Sequence, residues 1–234
     1  MRIIRHNPVR NPLEFITLLA VLMAATFPAG SADAQEDEFE RIRTVHLLQE
    51  PRHRTMHIDG DIRVVDVQIN PGDTTLPHTH DFAIMYTFIS NGEGPLNGRV
   101  SSITSYVTEQ LTHRVHNEGP GLFRIIALGN FGPAVSDTND KPEGVSAQPE
   151  LENPWFRSYR LELAPGESSP VRTPQNPGIV VQVSEGVVHV SRADGISNEL
   201  TAMGDWAWRN ADSPFQLHNP GTMPVTVVIN EARR

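Results

Sequence analysis

The sequence predicts an all-β protein made of two copies of one barrel-like unit. Three observations predict it. Short apolar runs broken by turn residues fill 44–128 and resume over 156–230, helical periodicity is weak throughout, and a Pro-Gly turn segment recurs 94 residues further on.

Taken in order, the chain opens with an address. Arg2, Arg5 and Arg10 form a basic region, residues 15–27 are uncharged and apolar, and Ala32-Asp33-Ala34 places small residues at the −3 and −1 positions before Gln35. This predicts a secretory signal peptide over 1–34, because an apolar run of thirteen residues falls short of the roughly 20 needed to span a bilayer. Residues 35–43 are charged and suit a short helix or a solvated arm.

Strands are expected at 44–48, 55–58, 62–69, 84–89, 100–107 and 123–128, with turns at Asp59-Gly60-Asp61 and Asn91-Gly92-Glu93-Gly94. Residues 131–154 are rich in Pro, Gly, Asp and Glu without an apolar rhythm, and read as a linker. Strands then resume at 156–163, 179–183, 187–190, 205–208 and 225–230. The resulting division is a signal peptide (1–34), a first barrel with a leading arm (35–130), a linker (131–154) and a second barrel (155–234).

The repeat ties the two halves together. Pro71-Gly72 lies over Pro165-Gly166 and Gly92 over Gly186 at an offset of 94, while His116-Asn117-Glu118-Gly119 lies over His218-Asn219-Pro220-Gly221 at an offset of 102. The second copy therefore carries eight additional residues between Gly186 and Asn219, a length that a hairpin loop absorbs.

Composition narrows the function. With no cysteine, disulfides, thiolate metal sites and cysteine nucleophiles are excluded. Without 1–34 the chain keeps 16 Lys and Arg against 26 Asp and Glu, a formal charge of −10, which argues against nucleic acid as a partner. No second apolar run of spanning length follows, so a periplasmic or secreted protein is expected, without a membrane span after cleavage.

His78 and His80 follow the 62–69 run. In an extended chain, residues i and i+2 share a face, so both imidazoles can lean toward one point. Two neutral imidazoles on one face make half of a divalent metal site.

Together these residues resemble the cupin family. Gly72, His78, His80 and Gly92 fit its first motif, G-x5-H-x-H-x3,4-E-x6-G, and His113 with Asn117 fits the H-x3-N that ends its second. The resemblance covers 64–130 well and 159–232 as a weaker copy, and it implies two tandem jelly-roll barrels, a bicupin. Departures are specific: Met85 stands in the carboxylate slot, Thr108 and Gln110 in the P-x-G slots, and Ser102 at the second motif's opening Gly. In the second copy Arg172, Pro174 and Phe215 hold the histidine slots and Ile179 the carboxylate slot, while Gly166, Gly186, Gly204 and Asn219 remain. That copy is expected to have lost every ligand.

The resemblance implies one divalent ion at His78, His80 and His113, with Fe, Mn, Zn, Ni and Cu all open. Met85 is either core filler or a thioether that would tilt the site toward copper(I). Glu109, four residues before His113, would share its face on a regular strand and is the candidate replacement carboxylate; Tyr86 is the candidate acid or hydrogen-bond donor. Asn117 is expected to shape a turn. His46, His53 and His57 either line the barrel mouth or are exposed, Arg172 either holds an anion inside the second barrel or lies at the surface, and Trp206 and Trp208 are expected to pack on both faces of that barrel.

The expected function is that of an exported metal-dependent enzyme acting on a small oxygen-rich molecule, with dioxygenases the precedent and isomerases or lyases next. A site short of a carboxylate favours a substrate that binds through an anionic oxygen, such as an enolate, catecholate or carboxylate. The alternative is a non-catalytic module that binds a small ligand or metal. Oligomeric state stays open.

Overall fold

In the computed structural model the described residues are 2–5 (backbone only), 43–136, 141–144 and 147–234. Most of the expected signal peptide, nearly all of the arm and parts of the linker lie outside them. In the first half the strands are β1 (Arg2–Arg5), β2 (Val45–His46), β3 (His53–Asp59), β4 (Ile62–Ile69), β5 (His78–His80), β6 (Ala83–Asn91), β7 (Pro95–Ile103), β8 (Leu111–His116) and β9 (Phe123–Asn130). They form a four-stranded sheet in the order β1-β8-β5-β2 and a five-stranded sheet in the order β3-β4-β9-β6-β7.

The second half contains β10 (Leu151–Glu152), β11 (Phe156–Leu163), β12 (Gly178–Gln182), β13 (Val188–Arg192), β14 (Ser197–Leu200), β15 (Trp206–Arg209), β16 (Phe215–His218) and β17 (Val225–Ala232). Its sheets are β10-β11-β17-β12-β15 and β14-β13-β16. The chain is all-β, two jelly-roll barrels in tandem. Among the described residues no helix is long and apolar enough to cross a membrane.

Three apolar clusters explain why these residues form these strands. One fills the first barrel, around Val65, Val67, Ile69, Ile84, Phe123 and Ile125. Another fills the second, around Leu163, Val180, Val190, Leu217, Val227 and Ile229. The third joins the barrels: Ile62, Val64, Met85, Ile126 and Leu128 pack against Phe156, Ile179, Val181, Val228 and Ala232. The two five-stranded sheets therefore pack on each other by their outer faces and on their own barrels by their inner faces. This double burial is why β4, β9 and β17 are buried at nearly every position instead of alternating between buried and exposed.

The repeat is visible as hydrogen bonds. Asn117 donates Nδ2–H to the carbonyls of Ile69 and Gly121 and accepts from Gly119 N–H. Asn219 does the same with Leu163, Met223 and Gly221. A side chain at Gly92 would place its Cβ 2.2 Å from Asn117 Oδ1, and φ of +89° is itself costly for any other residue. The eight additional residues fall within 187–218, which folds as β13 to β16 where the first copy has β7, a 3-10 turn at Ser105–Val107 and β8.

Four elements differ from what the sequence predicts. The expected strand at 100–107 ends at Ile103, because Tyr106 turns into the first core on the 3-10 turn. The expected 44–48 strand is only Val45–His46, followed by a 3-10 turn at Leu47–Gln49. Trp206 and Trp208 do not pack on two faces, since both lie against the core between the barrels. Leu151–Glu152, inside the expected linker, pairs with β11.

Each buried asparagine satisfies three backbone groups, and an unsatisfied buried group costs about 1–3 kcal/mol. Urea unfolding is expected to show Asn117→Ala and Asn219→Ala each destabilised by about 2–4 kcal/mol. A loss below about 0.5 kcal/mol in either would show that the turn closes without its side chain.

Candidate metal centre

The centre is assembled from two strands of the smaller sheet. β5 and β8 are antiparallel neighbours with His78 directly opposite His113, so the i, i+2 spacing of His78 and His80 brings three imidazoles to one level. Their ligating nitrogens lie within 4.8 Å of one another, and all three residues are buried.

The donor set fits a divalent ion. His78 donates Nδ1–H to the Leu76 carbonyl at 2.9 Å, which fixes the tautomer and leaves Nε2 buried without a partner. His80 Nε2 and His113 Nε2 face each other at 2.9 Å. Two nitrogens bound at right angles, each about 2.1 Å from one ion, would stand about 3.0 Å apart. Burial, reinforced by neighbouring imidazoles, pushes His78 down to about 3 and His80 down to about 2. Both stay neutral at physiological pH, as metal ligation requires.

Beside His80 and His113 lies a cavity of about 140 Å³ bounded by the two sheets of the first barrel. Val65, Ile84, Phe88, Phe123 and Ile125 supply apolar wall, and His53, His80 and His113 mark its polar end.

The histidine trio sits inside one of two facing barrels, each of which carries the same Asn-x-Gly turn. The crystal structure of AerE from Microcystis aeruginosa aligns at TM-score 0.54 and 10% identity, over 79% of this chain and 99% of that one. A variant of the salicylate 1,2-dioxygenase from Pseudoaminobacter salicylatoxidans, in complex with gentisate, aligns at 0.51 and 10% identity, over 77% and 74%. A cupin 2 conserved barrel domain protein from Leptotrichia buccalis aligns at 0.49 and 13% identity, over 77% and 88%. The chain has the two-cupin fold. No protein-family model matches it, and no curated protein matches its sequence.

Within the first cupin barrel the carboxylate slot looks different from its reading in sequence. On β6, Ile84, Tyr86 and Phe88 line the cavity, whereas Met85 alternates to the other face and packs in the core between the barrels. Met85 is thus placed as core, away from the centre. Ile84, on the cavity side, stands where a carboxylate one residue earlier in the motif would project. Glu109 is exposed in the turn before β8, not on a strand, so the parity argument for it does not apply.

Tyr86 does line the cavity and is hydrogen-bonded to Tyr106, whose neighbour on the other side is the His80 ring at 4.8 Å. Burial first, then Tyr106, pushes the Tyr86 hydroxyl well above its ordinary range, so it acts as a neutral hydrogen-bonding group. Tyr106 is a site residue that the sequence did not single out. Its 3-10 turn carries no chemical motif.

The second such residue is Glu50. Its side chain is fully buried, Oε2 accepts His53 Nδ1–H at 2.6 Å and the Arg52 N–H at 2.7 Å, and Oε1 accepts the Leu76 N–H at 3.2 Å. Burial opposes its ionised form, but these hydrogen bonds and His53 outweigh it and hold the carboxyl below the usual range. One carboxylate therefore fixes His53, whose ring packs 4.5 Å from His78, and also holds the N–H of Leu76, the residue whose carbonyl orients His78. Of the three early histidines only His53 reaches the centre: His46 pairs with Asp81, and His57 lies 4.2 Å from the Trp208 ring.

Glu50→Gln is expected to weaken metal binding 10- to 100-fold, the usual effect of loosening an outer partner of a ligand, in a competition titration with a chromophoric chelator. Met85→Leu should leave affinity unchanged and cost less than about 1.5 kcal/mol. In metal-free protein the unfolded chain takes up protons before folded His78 and His80 do. Stability should therefore be full above pH 6.5 and fall as pH drops toward 3. A urea midpoint that stays level between pH 7 and 4 would contradict that assignment.

Proposed function

We propose that the protein is an exported metal-dependent enzyme whose substrate has an apolar body of about one ring and carries its oxygens at one end. The observation that carries this reading is a cluster of three buried imidazoles, two of which, His80 and His113, line the polar end of an otherwise apolar cavity. A cavity of about 140 Å³ is close to the engineered apolar cavity of about 150 Å³ that holds benzene. The walls therefore narrow the expected oxygen-rich molecule to one whose polarity is confined to the metal-facing end.

When bound by His78, His80 and His113, a divalent ion would supply a Lewis acid with open positions. The rest belongs to the chain. Glu50 and His53 hold the polar end rigid, Tyr86 and Tyr106 offer hydroxyls beside His80, and the apolar walls exclude water from the reacting end. Oxygen insertion is the favoured reaction class, and a proton shift of the isomerase or lyase kind is next. The gentisate in the salicylate dioxygenase complex is a single-ring ligand. The basic-then-apolar segment in 1–34 supports export.

Elemental analysis of the protein purified from its own compartment is expected to find one divalent ion per chain, lost in the His78→Ala, His113→Ala double variant. Equal substoichiometric metal in both would remove the reading. Oxygen uptake should then occur with single-ring phenols or catechols and not with sugars or polycarboxylates. Stoichiometric binding of such ligands without turnover would favour a binding module.

A further inference from the structure

At one end of the second barrel the apolar interior gives way to charge. Registered pairing aligns Arg157 with Glu231, Glu231 with Gly178, and Gly178 with Arg209, so one row crosses β11, β17, β12 and β15. Strand alternation turns this row inward, the same way as Tyr159, Val180, Ala207 and Ile229 of the second core. Arg172 faces it from the segment bridged to Phe215. All three arginines are buried, Arg157 at 0%, Arg209 at 1% and Arg172 at 6% exposure.

Gly178 is what admits Arg209. A Cβ there would stand 2.6 Å from Arg209 Nη2 and 1.9 Å from the Asn230 carbonyl. The Arg209 guanidinium crosses this gap, donates Nη2–H to Asn230 O at 3.0 Å and lies 4.9 Å from the centre of the Phe215 ring. The backbone is thus shaped to hold a guanidinium inside a barrel.

The charges do not balance. Arg157 is held by Glu152 and Glu231, which leaves three guanidinium groups against two carboxylates, an excess of +1. Nε and Nη1 of both Arg172 and Arg209 are buried without a hydrogen-bond partner. Burial, with Arg172 adding to it against Glu231, pushes Arg209 down to about 10, so it is still charged at neutral pH. An uncompensated buried charge is among the most destabilising features a protein can carry.

We propose that Arg172 and Arg209 form a binding site for a small monocarboxylate inside the second barrel, in the place where the first barrel holds its histidines. One negative charge cancels the excess, and the planar fork of arginine matches the two oxygens of a carboxylate. The second barrel has then exchanged a cation site for an anion site. This inference does not depend on the reaction assigned to the first barrel.

The test is calorimetric titration of the full, metal-free chain with sodium acetate at constant ionic strength, with sodium chloride as the reference. Saturable one-to-one binding of acetate is expected, weakened at least tenfold in Arg172→Gln and less in Arg172→Lys. Arg172 lies outside the regular strands, so its variants test the site even if Arg209→Gln fails to fold. No saturable heat with acetate, equal binding of chloride, or undiminished binding in Arg172→Gln would each overturn the proposal.

Discussion

The packing of one five-stranded sheet on the other is the constraint from which most of this structure follows. Each sheet serves two cores, one inside its own barrel and one shared with its neighbour, so every position on its central strands must be buried on one side or the other. Polar residues at the junction hydrogen-bond across it, as Asn230 donating Nδ2–H to Thr87 Oγ1 at 2.7 Å and Asn130 donating to the Arg233 carbonyl at 2.9 Å show. The metal centre is built on the other sheet of the first barrel, which takes no part in the shared core. Rigidity and chemistry are assigned to opposite walls.

That division explains why parts of the chain are legible in sequence and parts are not. The runs at 62–69 and 156–163 coincide with β4 and β11 because apolar residues recur through them and clear turn residues bound them. β5, β8, β14 and β16 are short and largely polar, and they are strands because of what pairs with them. His78, His80 and His113 are brought together because their spacing reflects strand geometry and cross-strand register directly.

Met85 shows where that legibility stops. A variable gap in the motif leaves the slot ambiguous by one residue, and on a strand one residue is the difference between two faces. When both faces are buried, hydrophobicity cannot decide between them. Glu109 fails for a related reason: parity holds only while the strand lasts, and β8 begins after it. Glu50 and Tyr106 lie on 3-10 turns or beside them, where neither period applies, and Glu50 acts through His53 and the N–H of Leu76, connections that have no sequence pattern.

The paired turns at Asn117 and Asn219 separate what closes a barrel from what fills it. Both make the same three contacts, although one barrel encloses imidazoles and the other guanidinium groups. Interior residues in such a unit can diverge without reopening its end, because no closing hydrogen bond passes through them. Two chambers of this kind can hold opposite contents, a cation site in one and guanidinium groups in the other, behind one and the same closing turn.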